Sequence, residues 1–424
     1  MKEIKLKGLD LSVFQKTLDN GLDIIFIPYQ NKKNYFMTYA TKYGSTKTSF
    51  IPNDSKKLVK TPDGIAHFLE HKMFEQENGS DPFSFFSESG TGANASTSFD
   101  STQYICYGTK NFLNNLKYLI NFVNSPYFTD ENVEKEKGII AEELKMYLDI
   151  PDFQIETKLK EAIYDVNPRR IDIGGTVDEV NKIRKEDLYL CYNNFYVPNN
   201  MFILIAGNFD TKQALELIEK ELSKKESIKL PKLKKYKEKA TVHEKEVNFE
   251  ADIKVPKIAY GLKIPTKSLG ISDDLELDLY LSMLTTIIFG SSSEFRERVR
   301  EEKLINNFYN EWETIEDYRV FSIYSSTPNP DLLLSEIIQE LENINIKEED
   351  FLRMKKVWIA NEVKIADYLE ATVNNIYDDI IRYNKIIPNR VDLIRKMKLT
   401  KLNTLISKID FTNTSIIRML PKDK

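Results

Sequence analysis

The sequence is poor in the residues that cross-link chains and in the runs that cross membranes. Its two cysteines, Cys106 and Cys191, sit among apolar and aromatic neighbours. A disulfide framework is therefore not implied, and buried free thiols are the expectation. No stretch approaches the ~18–20 apolar residues of a membrane-spanning helix. The N-terminal Met-Lys-Glu-Ile-Lys-Leu-Lys-Gly-Leu-Asp has no apolar core of a secretory signal. A cytoplasmic location without a membrane partner is the expectation. An excess of one charge is also missing: 60 basic residues face 65 acidic ones, mixed along the chain, for a net charge of −5. That gives no electrostatic case for a nucleic-acid partner. Histidine is nearly absent as well, with three in 424 residues.

Two of those three lie in one turn and a half. Asp63-Gly64-Ile65-Ala66-His67-Phe68-Leu69-Glu70-His71-Lys72-Met73-Phe74 contains H-x-x-E-H. On a helix, residues at i, i+3 and i+4 share one side. Ile65, Leu69 and Met73 form an apolar stripe that can bury the helix. One face thus anchors the helix while another presents two imidazoles and a carboxylate. Neutral imidazole is a good zinc ligand, and an adjacent carboxylate that does not bind the metal can deprotonate water. His243 lies in a Lys/Glu-rich stretch without such company.

The length suits two large domains. Segments 22–27 and 35–40 read as strands, 93–99 and 103–108 as two more, and 111–123 and 129–147 as helices. A strand at 201–207 closes the first half. Between about 226 and 250 the composition shifts to Lys and Glu, a linker between domains 1–225 and 251–424. The second half repeats the first in outline. In that repeat, positions 136 and 143 correspond to Met354 and Asn361, and the helix at 275–289 has no histidine.

Two histidines do not complete a catalytic zinc site, which takes a third protein ligand and keeps a position open. The charged helix at 129–147 offers carboxylates. Glu136 and Glu143 are two turns apart on one face. Glu131, Glu134 and Glu142 read as solvated partners for lysines. Glu143, flanked by Gly138-Ile139-Ile140-Ala141 and Leu144, sits in a segment apolar enough to be largely buried, where a carboxylate needs a metal or a charge partner.

H-x-x-E-H is the inverted zincin order, and TPDGIAHFLEHKMF followed by VEKEKGIIAEELKMYLD resembles the pitrilysin-type zinc peptidases. That family includes insulin-degrading enzyme and the β subunit of the mitochondrial processing peptidase. SGTGANASTSFDSTQYICYG, VNPRRIDIGGT, YNNFYVPNNMFILIAGNFD and the duplicated second half are similar too, so the likeness covers nearly the whole chain. The resemblance implies an α+β fold of two homologous half-domains, each a mainly antiparallel sheet covered by helices. It implies one Zn2+ per chain held by His67, His71 and Glu143, with Glu70 as general base and Glu136 orienting the site from behind. It implies an edge strand for a peptide substrate at Asn94, Ala95 and Thr97, with Ser96 where relatives often place Phe. It implies that Arg300 grips the substrate carbonyl together with a Tyr seven residues on, where this chain has Asn307, next to Phe308 and Tyr309. The expected activity is zinc-dependent cleavage of short or unstructured peptides by a dimer, formed with a paralogue lacking H-x-x-E-H or with itself. The alternative is a non-catalytic or partner-dependent subunit of a processing-peptidase-like heterodimer.

Overall fold

Apolar residues on both faces of a strand mean a sheet covered on both sides, and Tyr35–Thr41 is buried at every position. In the computed structural model, which describes residues 1–422, this strand lies inside a seven-stranded sheet. The chain forms two compact units. One holds residues 1–145, 172–235 and 363–389; the other holds 146–171, 236–362 and 390–422.

The first unit opens with β1 (Lys2–Lys5), β2 (Ser12–Thr17), β3 (Asp23–Pro28) and β4 (Tyr35–Thr41). A small hairpin, β5 (Ser49–Ile51) and β6 (Val59–Lys60), leads to helices α1 (Ile65–Met73) and α2 (Pro82–Glu88). Strands β7 (Gly92–Thr97) and β8 (Thr102–Gly108) then lead to α3 (Phe112–Val123) and α4 (Asp130–Leu148). The next helix, α5 (Pro151–Ile163), is built into the second unit. The first unit resumes with α6 (Val177–Val180), α7 (Lys185–Phe195), β9 (Met201–Gly207), α8 (Thr211–Leu222) and β10 (Lys232–Leu233). The strand order is β1-β2-β3-β9-β4-β8-β7, with β3 and β9 parallel and the other pairs antiparallel. β7 is an edge strand, paired with β8 alone among the described residues. Alternation along the strands sorts the core: Phe26, Tyr35, Met37, Ile203 and Ile205 pack with α1, α3 and α8.

The second unit contributes β11 (Glu246–Ala251), β12 (Lys257–Pro265), α9 (Asp274–Phe289), α10 (Glu294–Glu301), β13 (Asn307–Ile315) and β14 (Tyr318–Ser326). Then come α11 (Pro330–Glu342) and α12 (Glu348–Ala366); α13 (Leu369–Tyr383) returns to the first unit, and α14 (Arg390–Lys396), α15 (Leu399–Ile406) and β15 (Thr414–Pro421) finish the second. Its sheet runs β11-β15-β12-β14-β13, with β11 and β15 parallel. This is the order β3-β9-β4-β8-β7 again, with the parallel pair in the same place. The fold is α+β and duplicated.

The units are not consecutive blocks of sequence, unlike the expected division at 226–250. The helix after α4 and the helix after α12 change sides. In the first unit, Leu369, Val373, Ile376 and Ile380 of α13 cover Ile25, Ile27, Phe36 and Phe202 on the second face of the sheet. Burying such side chains contributes about 1.5–3 kcal/mol each. In the second unit, Ile155, Leu159 and Ala162 of α5 lie on Ala259, Val320 and Ile417. Gly261 in β12 permits this approach, since a Cβ there would fall 2.5 Å from Ile163 Cδ1.

The chain crosses from the first unit to the second at Lys235–Tyr236, within the charged stretch. That stretch is more than a solvated spacer. The Glu238 carboxylate accepts from the backbone N–H groups of Asp165, Val166 and Asn167 at 2.9, 2.9 and 2.8 Å, and from Lys263 Nζ at 2.8 Å. No helix among the described residues is long and apolar enough to cross a membrane. Cys106 and Cys191 are free and buried.

Candidate metal centre and its edge strand

Ile65, Leu69 and Met73 are fully buried, as the stripe requires, and Phe68 joins them. This pins α1 and leaves His67, Glu70 and His71 facing α4 and β7. The helix starts without a side-chain cap at Gly64, which has φ 87°. A Cβ at Gly64 would lie 2.2 Å from the Gly174 carbonyl oxygen, and one at Gly175 2.5 Å from that of Asp63. Only glycine tolerates both the left-handed backbone and the contact. The loop Asp172–Gly175 therefore sits backbone to backbone on the start of α1. α4 begins with a reciprocal cap in which Thr129 Oγ1 accepts from Asn132 N–H and Asn132 Oδ1 from Thr129 N–H.

Three donor groups converge. His67 Nε2 and His71 Nε2 are 3.2 Å apart, and the Glu143 carboxylate lies 3.9 Å from the first and 3.6 Å from the second. Among the described residues this is the one group of three that could hold a metal ion. Two imidazole nitrogens and a carboxylate turned to one point fit a divalent cation, and the donor set suits zinc. Behind it, His71 Nδ1 is 3.1 Å from Glu136 Oε1. His67 Nδ1 is buried without a hydrogen-bond partner, on the side of Gly174. Burial, then the neighbouring His71, pushes His67 down to about 4, which keeps it neutral. Burial pulls His71 down as well, but its bond to Glu136 and the charges of Glu70, Glu136 and Glu143 outweigh this and raise it. Burial would raise Glu136, yet the bond and charge of His71, with the charges of Lys72 and Lys135, hold it below its ordinary value.

Glu70 is buried beside this group, and Thr97 Oγ1 of β7 donates to its Oε2 at 2.7 Å. Burial raises the Glu70 carboxyl and Glu143 adds to this, against the pull of Thr97 and His71. Thr97, expected as a substrate contact, is thus a partner of Glu70. Asn94 is exposed on β7, with its Oδ1 accepting from Ala95 N–H at 2.9 Å. The Ala95 side chain packs on the core.

Other expectations meet mixed outcomes. Glu134 and Glu142 are solvent-facing and pair with Lys137 and Lys145. The segment before Glu143 is buried only at Ile140, because helical rotation leaves Ile139 exposed, and Glu143 itself is 24% exposed. Arg300 belongs to the second unit, exposed near the end of α10. Asn307 opens β13 with its Oδ1 accepting from Ser326 N–H at 2.6 Å. Tyr309 is bonded to Glu156 and stacked on Tyr324 at 4.7 Å. Sequence reading passed over Lys72, which is fully buried, bonded to Glu75 and 3.9 Å from Glu136. Its place seven residues after Ile65 and three after Leu69, on the apolar stripe, was the available signal.

Comparison with known proteins agrees with this geometry. Residues 59–177 match the family model described as insulinase, peptidase family M16, and residues 182–357 match the peptidase M16 inactive domain. The chain is similar to the uncharacterized zinc protease YmfH of Bacillus subtilis, 32% identical over 431 residues and 100% of both chains. It is 24% identical to the zinc protease PqqE of Helicobacter pylori over 87% of this chain and 83% of that one. An M16-like peptidase from Alicyclobacillus acidocaldarius has the same fold, with a TM-score of 0.91, 31% identity, and coverage of 98% of this chain and 99% of the other. The chain belongs to peptidase family M16.

Proposed function

We propose that this chain is a zinc-dependent endopeptidase acting on short or unstructured peptides. The observation that carries the reading is the convergence of His67, His71 and Glu143 beside a buried Glu70 next to an edge strand of the sheet. His67, His71 and Glu143 would hold the ion. Zinc, when bound, supplies Lewis acidity that polarises a peptide carbonyl and makes water acidic near neutral pH. The rest falls to the protein. β7 takes an extended peptide as an added strand through main-chain hydrogen bonds, a mode that would select unfolded substrates. Glu70, fixed by Thr97, removes a proton from the attacking water and hands it to the leaving amine. Its raised affinity for protons suits a group that must take one up and release it. Glu136 fixes the His71 ring through Nδ1, leaving Nε2 to the metal.

Turnover of a quenched fluorescent peptide by the purified chain, beside Glu70→Gln, tests this. The variant should bind zinc normally and lose at least about 100-fold in kcat, the lower range for a general base. Unchanged turnover in Glu70→Gln would remove Glu70 from the mechanism.

A second reading concerns a partner. Asn307 stands where active relatives are expected to carry Tyr, and the nearby Tyr309 is engaged by Glu156. We infer that the chain works as a dimer, with a paralogue lacking H-x-x-E-H or with a second copy, which adds groups that grip the substrate carbonyl. Free, buried thiols accord with a cytoplasmic setting. Sedimentation of the purified chain during turnover tests the partner: an active monomer would refute it.

A further inference from the structure

We propose that Lys72 is a positioning residue of the metal centre: it braces Glu136 against His71 and so keeps the His71 ring turned toward the metal. The inference rests on His67, His71 and Glu143 being the ligands. Lys72 lies on the stripe that α1 turns into the core, and its side chain is 0% exposed. A leucine or methionine would fill that place without taking an ammonium group out of water, which is costly unless the charge is well paired. The need for a lysine must come from what its Nζ reaches.

It reaches two carboxylates. Glu75 is bonded to it but is 38% exposed, so that pair alone does not require a lysine so deep. Glu136, 12% exposed, has one oxygen 3.1 Å from His71 Nδ1 and the other 3.9 Å from Lys72 Nζ. The carboxylate is held from both ends, by the ring it orients and by the cation behind it. Without Lys72, its second oxygen would lose that neighbour, and Glu136 could turn from His71 toward solvent. Lys72 follows His71 directly in sequence, so one helical turn carries a ligand and the group that braces the ligand's partner. Groups that orient a metal-bound imidazole typically change metal affinity by about 10- to 100-fold.

A double-mutant cycle read by zinc affinity tests the role, because a purely structural lysine would not be coupled to Glu136. Zinc dissociation constants would be measured by chelator competition on the full chain, for wild type, Lys72→Met, Glu136→Gln and the double variant. Lys72→Met should weaken zinc about tenfold, while the metal-free chain melts as wild type does or higher. The double variant should be no weaker than Glu136→Gln alone to within about threefold, since both changes remove the same brace. A cobalt-loaded sample should show an altered absorption band in Lys72→Met. If Lys72→Met does not fold, Lys72→Gln is read in the same cycle. Wild-type affinity in the folded single variant, or effects that multiply in the double variant, would overturn the proposal while leaving the ligand assignment intact. A wild-type chain that binds no zinc at these residues would overturn both.

Discussion

Helices α4 and α12 have the same length, 19 residues, and the same place after the same pair of antiparallel strands, yet one carries chemistry and the other does not. Aligned end to end, Val133 pairs with Phe351, and both are buried. Glu136 pairs with Met354 and Glu143 with Asn361. Met354 is buried and apolar where Glu136 bonds His71, and Asn361 is exposed where Glu143 meets two histidines. The same backbone therefore serves two purposes. In the second unit that face of the helix is ordinary packing and solvent. In the first, a few polar residues are tolerated at part-buried positions because each has a charged or metal-ligating neighbour. The edge strands diverge likewise: β7 turns Thr97 to Glu70, while β13 uses Asn307 and Tyr309 for contacts inside its own unit.

The comparison can be broken most sharply by making α4 resemble α12. Glu143→Asn should lower zinc affinity by more than about 100-fold, beyond the usual loss of an outer partner, and abolish peptide turnover. Zinc competition measures the first and the peptide assay the second. The reverse change, Asn361→Glu, should create no second zinc site, because α9 offers no histidine.

The next effect falls in the second unit and on stability alone. Glu238→Gln leaves Lys263 buried without its counter-charge and should cost about 3–5 kcal/mol, read as earlier thermal unfolding with zinc affinity unchanged. Burial pushes the Glu238 carboxyl up, but the N–H of Asp165, the Lys263 bond and the N–H of Val166 outweigh it and hold the carboxyl below its ordinary 4.5. A carboxyl depressed by folding contributes stability that is fully present above its unfolded value and is lost as pH falls through the folded one. Wild type should therefore lose stability on acidification below about pH 4.5, and Glu238→Gln should lack that component.

The smallest effect is expected at Thr97→Val, which keeps the shape and removes the donor to Glu70. A hydrogen bond to a charged group is worth about 1.5–3 kcal/mol, so kcat should fall about tenfold. Because the bond favours the carboxylate, its loss should move the acid limb of the pH–rate profile to higher pH. An unmoved profile would mean that Thr97 serves β7 alone.

What the sequence made legible was local. His67, Glu70 and His71 are positioned by helical spacing within five residues, and the Ile65, Leu69 and Met73 stripe fixes which way they face. Glu143 was separable from its acidic neighbours only in part, since Glu136 shares its face and two turns of helix do not say which carboxylate meets which nitrogen. The Thr97–Glu70 bond was out of reach, because it depends on where an edge strand 27 residues away comes to rest. Lys72 read as one more lysine in a chain rich in them, although its spacing placed it on the stripe. The exchange of α5 and α13 was hidden for a different reason. The spacing of Ile155, Leu159 and Ala162 shows that one face is buried, but not beneath which sheet. Glu238 illustrates the same limit in the charged stretch: composition reads as solvent, while its four donors lie elsewhere in the chain.

The most direct measurement is a zinc titration of the metal-free chain, with peptide turnover followed at each addition. Turnover should rise from nothing and reach its plateau at one zinc per chain, with Glu143→Asn showing neither the binding step nor the activity. Turnover in the metal-free chain, or full activity retained in Glu143→Asn, would contradict it.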